Sequence, residues 1–192
     1  MASKPGERKL QILQTVAQML EQPKGEKITT AALAARLELS EAALYRHFAS
    51  KAQMFEGLIE FIEQSVFGLI NKITQEEKSG LRQADAIISM LLGFAQKNRG
   101  MSRVLIGDAL VNEDERLQQR INQLLDRIEA TLKQSLRMAA TQGEMGAAVD
   151  VGARSNLLVC YVIGRWQQFS KSGFARDPLA QWQAQSAILL GK

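Results

Sequence analysis

The chain has 192 residues, a net charge of +4, 46% hydrophobic and 23% charged residues, and a single cysteine and a single histidine. This is the composition of an ordinary globular chain long enough for one large or two small domains, and it excludes an intramolecular disulfide, a histidine-based triad and a multi-histidine metal site. No run of about 18 apolar residues occurs, and the opening MASKPGERK lacks an apolar signal core, so the expectation is a protein of a reducing cytosol, neither exported nor membrane-spanning.

Three prolines and the absence of apolar alternation predict an all-α chain of nine helices without strands. The first runs from about Glu7 to Glu21, with Leu10, Ile12, Leu13, Val16, Ala17 and Leu20 on its apolar side, and Gln22-Pro23-Lys24-Gly25 stops it. The second opens at Ile28-Thr29-Thr30 with a threonine cap, and Ala31, Leu33, Ala34 and Leu37 form its stripe. A break, Glu38-Leu39-Ser40, leads into SEAALYRHFASK, where Ser40 is a good N-cap. Ala42 and Ala43 are small enough for a backbone to approach base edges, while Leu44 and Phe48, four apart, share an anchoring face. Tyr45, Arg46 and His47 leave on the other sides with donors suited to phosphate oxygens. Ser50 and Lys51 start the next helix, whose free N–H groups and ammonium form an anion site. Helix, short turn and helix is the helix-turn-helix arrangement, in which the second helix enters the major groove.

Through its LYRHF run, its paired threonines and the Ser-Lys after the phenylalanine, the segment from Ile28 to Leu58 resembles the DNA-binding domain of TetR-family transcription regulators. The resemblance implies a TetR-like fold, a three-helix N-terminal head on a C-terminal helical dimerisation body. It also implies DNA contacts from Thr29, Thr30, Ser40, Ala42, Ala43, Tyr45, Arg46, His47 and Lys51. The family usually has glycine in the turn, where the backbone visits positive φ; Glu38 stands there, at a cost of about 1 kcal/mol, and Leu39 supplies the apolar plug. Residues 1–55 hold eight Lys or Arg against five Asp or Glu, and the remaining 137 hold 16 against 15, so most of the positive excess sits where phosphate binding needs it. The expected domains are 1–51 for DNA binding and 52–192 for dimerisation and partner or ligand binding.

The helix from Lys51 continues to about Gln75 without a breaker and joins the head rigidly to the body. Its apolar residues (Phe55, Leu58, Ile59, Phe61, Ile62, Val66, Phe67, Ile70) wrap more than one face, so some are core and some form a patch. Further helices are expected from Gly80 to Lys97, ending at Asn98-Arg99-Gly100; over Ser102 to Leu110; from Asp114 to Ala140, with Leu117, Ile121, Leu124, Ile128 and Leu132 in helical period; from Val149 to Lys171; and from Pro178 to Leu190. Thr141 to Ala147 reads as a loop. Leu158, Val162, Trp166 and Phe169 lie near one face, Gly164 allows close approach, and Trp182 adds apolar area on the last helix. This set is read as a homodimer interface, the alternative being intrachain core. A dimer presents two recognition helices about one DNA turn apart and reads a pseudo-palindrome in double-stranded DNA.

Catalytic chemistry is not legible. Cys160 sits in an apolar stretch without a cysteine or histidine partner and reads as a buried inert thiol, the glycines form no phosphate loop, and Glu113-Asp114-Glu115 reads as a helix-start signal. The expectation is no enzyme, no cofactor and no metal.

The stretches Ser40 to Asn71, Leu91 to Leu110 and Arg116 to Arg137 resemble the nucleoid occlusion factors within the TetR family, a likeness that weakens after about Ala140. It implies a homodimer bound to chromosomal palindromes, in the cytoplasm and on the nucleoid, that blocks assembly of the tubulin-like division protein FtsZ. The implied partner surface lies between the long helix and the next, with Phe61, Gly93 and Asn98 matching, Met90 and Lys97 similar, and Leu69 in place of an arginine. Whether Phe61 is exposed or buried stays open at this point. The alternative is a ligand-responsive repressor with Phe94, Met101, Trp166 and Phe169 lining an apolar effector pocket, against which few polar groups converge there.

Overall fold

The computed structural model of the chain describes residues 5–22, 28–146 and 148–191. Among them are nine α-helices and no strand: α1 (Pro5–Leu20), α2 (Thr30–Arg36), α3 (Glu41–Tyr45), α4 (Lys51–Glu76), α5 (Gly80–Lys97), α6 (Arg99–Leu105), α7 (Glu115–Thr141), α8 (Val151–Lys171) and α9 (Trp182–Leu190), with one 3-10 turn at Asp108–Leu110. The predicted stop at Pro23-Lys24-Gly25 lies outside the described residues.

Helix starts follow local chemistry. Thr29, Ser40, Ser50, Ser79, Asp114 and Asp150 each accept a backbone N–H of the turn that follows, as side-chain caps do. At Asp114 the Arg116 guanidinium and backbone N–H together hold the carboxyl at about 2. Two expectations need correction. α5 ends at Lys97 with Asn98 as its C-cap, as expected, but the next helix begins at Arg99 rather than Ser102, so Gly100 lies inside α6. Ala31 is exposed; Leu33, Ala34 and Leu37 alone bury the inner side of α2.

The core is centred on α5, α7 and α8, with α4 packed along α5 and α7. On α4, Met54, Phe55, Leu58, Ile59, Ile62, Val66 and Ile70 form its buried stripe. Beside that stripe Arg120 of α7 grips Glu63 through two nitrogens, at 2.7 and 3.2 Å, and also donates to the Glu56 carbonyl at 3.3 Å. That bond to Glu63 pushes the guanidinium pKa up. Arg127, two turns further along the same face of α7, lies 3.9 Å from the Phe67 ring centroid. At its start α5 meets the end of α7. The N–H groups of Gly80 and Leu81 donate to the Gln142 and Glu144 side chains at 2.9 Å each, and Gln142 returns a bond to the Lys78 carbonyl.

The head, α1 to α3, docks on this body through α1, which packs on α4 and α6. A Cβ at Gly100 would lie 1.9 Å from the Ala17 carbonyl oxygen, so the crossing of α1 over α6 brings backbone against backbone at that point. Gly100→Ala should therefore destabilise the fold by about 1–3 kcal/mol through overpacking. Gly68→Ala on α4, where a Cβ meets nothing within 4 Å, should instead stabilise it by about 0.5–1 kcal/mol through helix propensity. Denaturant melts of the two variants check the contrast; a neutral Gly100→Ala would mean that the crossing is looser than described.

Candidate nucleic-acid interface

The turn between α2 and α3 is built as its residues require. Glu38 has φ of 55°, in the left-handed region where a side chain is strained. Its neighbour Leu39 is half-buried against the core and its N–H bonds to the Ala34 carbonyl at 2.9 Å. Helix α3 is shorter than the segment Ser40 to Lys51 suggests: regular helix ends at Tyr45, and two turn residues lead into Phe48. Leu44, fully buried, and Phe48 hold this unit in the core, and Lys9 of α1 covers the Phe48 ring at 5.5 Å.

What the anchors leave outside is the set expected to meet DNA. Tyr45 is 45% exposed. Arg46, Thr29, Ser40 and Ala42 are within the exposed or half-buried surface, with Ala43 and His47 half-buried beside them. Thr29, Ser40 and Ala42 lie at the starts of α2 and α3, whereas Tyr45, Arg46 and His47 lie at the end of α3 and in the turn after it. The caps Thr29, Ser40 and Ser50 already spend their side-chain oxygens on Ala32, Ala43 and Gln53. Ser40 is therefore structural as well as surface-facing.

Two side chains of this set are engaged in ways that local sequence does not signal. The Thr30 hydroxyl donates to Glu41 at 2.5 Å. The Lys51 ammonium is paired at 2.5 Å with Glu113, a residue 62 positions away in the connection before α7. In the triplet Glu113-Asp114-Glu115, then, only Asp114 is the cap, and Glu113 reaches back to the head. Beside this pair lies a cavity of about 370 Å3 bordered by Met19, Leu20, Phe55, Arg103, Lys51 and Glu113.

The positions expected to face a protein partner lie on the outer parts of α4 and α5. Phe61 is half-buried, packed at the margin of the core, while Leu69 two turns on is 44% exposed. Met90, Gly93 and Asn98 are half-buried and Lys97 is exposed. Asn98 turns its amide back to the Phe94 carbonyl at 2.8 Å as α5 ends. Gly93 borders the connection to α9, since a Cβ there would meet Leu179 at 3.7 Å.

The expected dimer interface needs correction. Leu158, Val162, Trp166, Phe169 and Trp182 are at most 6% exposed within the single chain. Trp166, fully buried, donates its indole N–H to the Leu91 carbonyl at 3.0 Å. Their periodicity marks a buried face, and the neighbours that bury it are this chain's own α5, α6 and α7. Phe94 and Met101, expected with Trp166 and Phe169 to line an effector pocket, are likewise core. The outward face of α8 instead carries Ala153, Leu157, Cys160 and Gly164, the second at 52% exposure. Cys160 is thus exposed rather than buried. Beside that face Tyr161 donates to Gln185 at 2.7 Å, and Ile188 of α9 is 78% exposed. Burial pushes the Tyr161 phenol up.

Comparison with known proteins agrees with this geometry. Residues 17–58 match the family described as "Bacterial regulatory proteins, tetR family", and residues 78–192 match the SlmA-like "Tetracyclin repressor-like, C-terminal domain". The "Nucleoid occlusion factor SlmA" of Alteromonas mediterranea is 49% identical over 97% of this chain and 95% of its own. The protein of the same name from a Marinomonas species is 48% identical over 98% and 96%. Among solved structures, the fatty acid degradation regulator FadR from Bacillus halodurans has a TM-score of 0.79 at 15% identity, covering 100% of this chain and 97% of its own, a likeness of fold.

Proposed function

The chain belongs to the TetR family of bacterial regulatory proteins and, within it, to the nucleoid occlusion factors named SlmA, and we propose that it acts as a homodimer whose two recognition turns dock on pseudo-palindromic chromosomal DNA. The observation that carries this reading is the α2–α3–α4 junction. Leu44 and Phe48 are sunk in the core, and Tyr45 and Arg46 face outward at the end of α3, between its capped start at Ser40 and the capped start of α4 at Ser50. Helix N-termini and such donors bind phosphate oxygens, and these contacts set the register in which the start of α3 meets base edges. Residues 1–51 form the DNA-binding unit, with Thr29, Thr30, Ser40, Ala42, Ala43, Tyr45, Arg46, His47 and Lys51 at the duplex, and residues 52–192 form the body. The protein works in the cytoplasm on the nucleoid, without enzymatic chemistry. Its second partner is FtsZ, received on the outer side of α4 and α5 around Phe61, Met90, Gly93, Lys97 and Asn98. Two copies pair through the outward face of α8 with α9, where Leu157, Cys160, Gly164 and Ile188 leave apolar and small surface uncovered in the single chain.

Lys51→Ala and Tyr45→Phe should weaken binding to operator and random duplexes alike, because phosphate contacts carry no sequence information. The lysine change should also reduce the slope of log affinity against log salt by about one per subunit. Salt titrations on both duplexes measure this, and altered base preference with an unchanged slope would refute the docking described.

Placing a charge on the outward face should separate the copies without unfolding them. Leu157→Glu is expected to sediment as a folded monomer in which Cys160, covered in the dimer, reacts rapidly with maleimide. Trp166→Glu should abolish the cooperative melt, since an unpaired buried charge costs several kcal/mol. A Leu157→Glu dimer with a slow thiol would place the interface elsewhere.

Phe61 sits about 15 Å along α4 from Lys51, ten residues at 1.5 Å each, so the two activities should be separable. Phe61→Ala and Lys97→Glu are expected to abolish inhibition of FtsZ polymerisation while leaving operator affinity within about twofold, as distant sites act independently. Phe55→Ala, in the core, should cost about 3–5 kcal/mol and remove both activities together. Light scattering of FtsZ beside a DNA titration reads the outcome; joint loss in Phe61→Ala would overturn the assignment.

A further inference from the structure

We propose that Glu113 is a built-in competitor for DNA: its carboxylate holds the Lys51 ammonium in the free protein and is displaced when a phosphate takes its place. The inference rests on the reading of Lys51 as a phosphate ligand, and it adds a residue of the body to the determinants of DNA affinity.

Three observations carry it. First, the pair is drawn inward. The Lys51 side chain is 22% exposed and that of Glu113 13%, both at the edge of the cavity between head and body. The Lys51 ammonium also lies 5.7 Å from the centroid of the Phe55 ring behind it. A lysine waiting for a phosphate in solvent would be far more open. Second, a carboxylate oxygen at 2.5 Å from an ammonium occupies the position a phosphate oxygen takes in a charge-assisted bond, so one ammonium cannot fully serve both. A phosphate brought alongside Glu113 would also face like charge. Third, Glu113 comes from outside the head. It follows Val111, 65% exposed, and Asn112, held at φ of 64°. The competitor therefore belongs to the connection before α7, and its grip on the first residue of α4 joins the body to the DNA-facing surface. Thr30 with Glu41 repeats the pattern within the head, a carboxylate on a second residue expected at the duplex.

The consequence is a penalty on all DNA contacts that use Lys51, operator and random alike. Removing the competitor should raise affinity for both. The number of phosphates neutralised in the complex stays the same, so the salt slope should not change.

The test is Glu113→Gln, which keeps the shape and removes the charge, measured by DNA titration over a range of salt on operator and random duplexes. Tighter binding by about three- to fivefold per subunit is expected, the equivalent of one partly exposed ion pair. The parent slope should be retained, and the gain should vanish when Lys51→Ala is added. Glu115→Gln removes an equal charge two residues on and should gain less. No gain or weaker binding in Glu113→Gln, an equal gain in Glu115→Gln, or a gain that survives Lys51→Ala would each overturn the competition. A slope steeper by about one per subunit would mean that the pair persists on DNA, which overturns displacement. Lys51→Ala alone leaving the slope unchanged would instead remove the phosphate reading of Lys51 on which the inference rests.

Discussion

The apolar stripe of α4 is the constraint on which the rest depends. Met54 and Phe55 at one end and Val66 and Ile70 at the other are buried along one continuous helix of 26 residues, about 39 Å long at 1.5 Å per residue. Its first turn belongs to the surface proposed for DNA, and its later turns are gripped by α7 through Arg120 on Glu63 and Arg127 on Phe67. With no break between, the recognition turn cannot tilt independently of the body unless α1 also slides over α6. Gly100 makes that slide difficult, because the Ala17 backbone already lies against it. Reading a palindrome needs two recognition turns at a fixed separation, and a rigid α4 is a direct way for a distant pairing surface to set it.

The head was largely legible because its signals are local. Thr29, Ser40 and Ser50 cap the helices that follow them, and Leu44 and Phe48 anchor the recognition turn, all within spans of a few residues. Glu38 at positive φ followed from the resemblance, since the family usually has glycine at that turn position. Legibility fell where the answer depended on what packs against a face. Periodicity identified the apolar side of α8 at Leu158, Val162 and Trp166, but spacing carries no mark of which element covers it. Cys160 lies on the opposite side of the same helix, so an apolar neighbourhood in sequence was exposed surface in space. Gly100 resembled a helix stop for the same reason, since its role is set by a carbonyl from α1. The pairing of Lys51 with Glu113 spans 62 residues and leaves no local trace.

Helix α8 therefore has two working sides with different chemistry. The inner side is large and apolar, and it is locked by the indole bond of Trp166 to α5. The outer side is small and mixed, from Ala153 through Leu157 and Cys160 to Gly164. Small residues permit close approach of a second helix, while the inner side keeps α8 from shifting in response. Partner positions on α4 and α5 sit apart from both, so the surfaces proposed for DNA, for a second copy and for FtsZ are carried by different helical faces of one core.

The start of α5 has a consequence for how the chain comes to be folded. Its first two N–H groups are satisfied by side chains 62 and 63 residues further on, at Gln142 and Glu144, after the whole of α7. During synthesis those groups have only water as acceptor until residue 144 has left the ribosome. Local helix formation can proceed through the middle of α5, but its first turn is completed late, by a segment that reads as a mere connection. The stretch after α7 is thus a closing clasp for the body, and shortening it would leave the beginning of α5 frayed in a chain whose other helices had already formed.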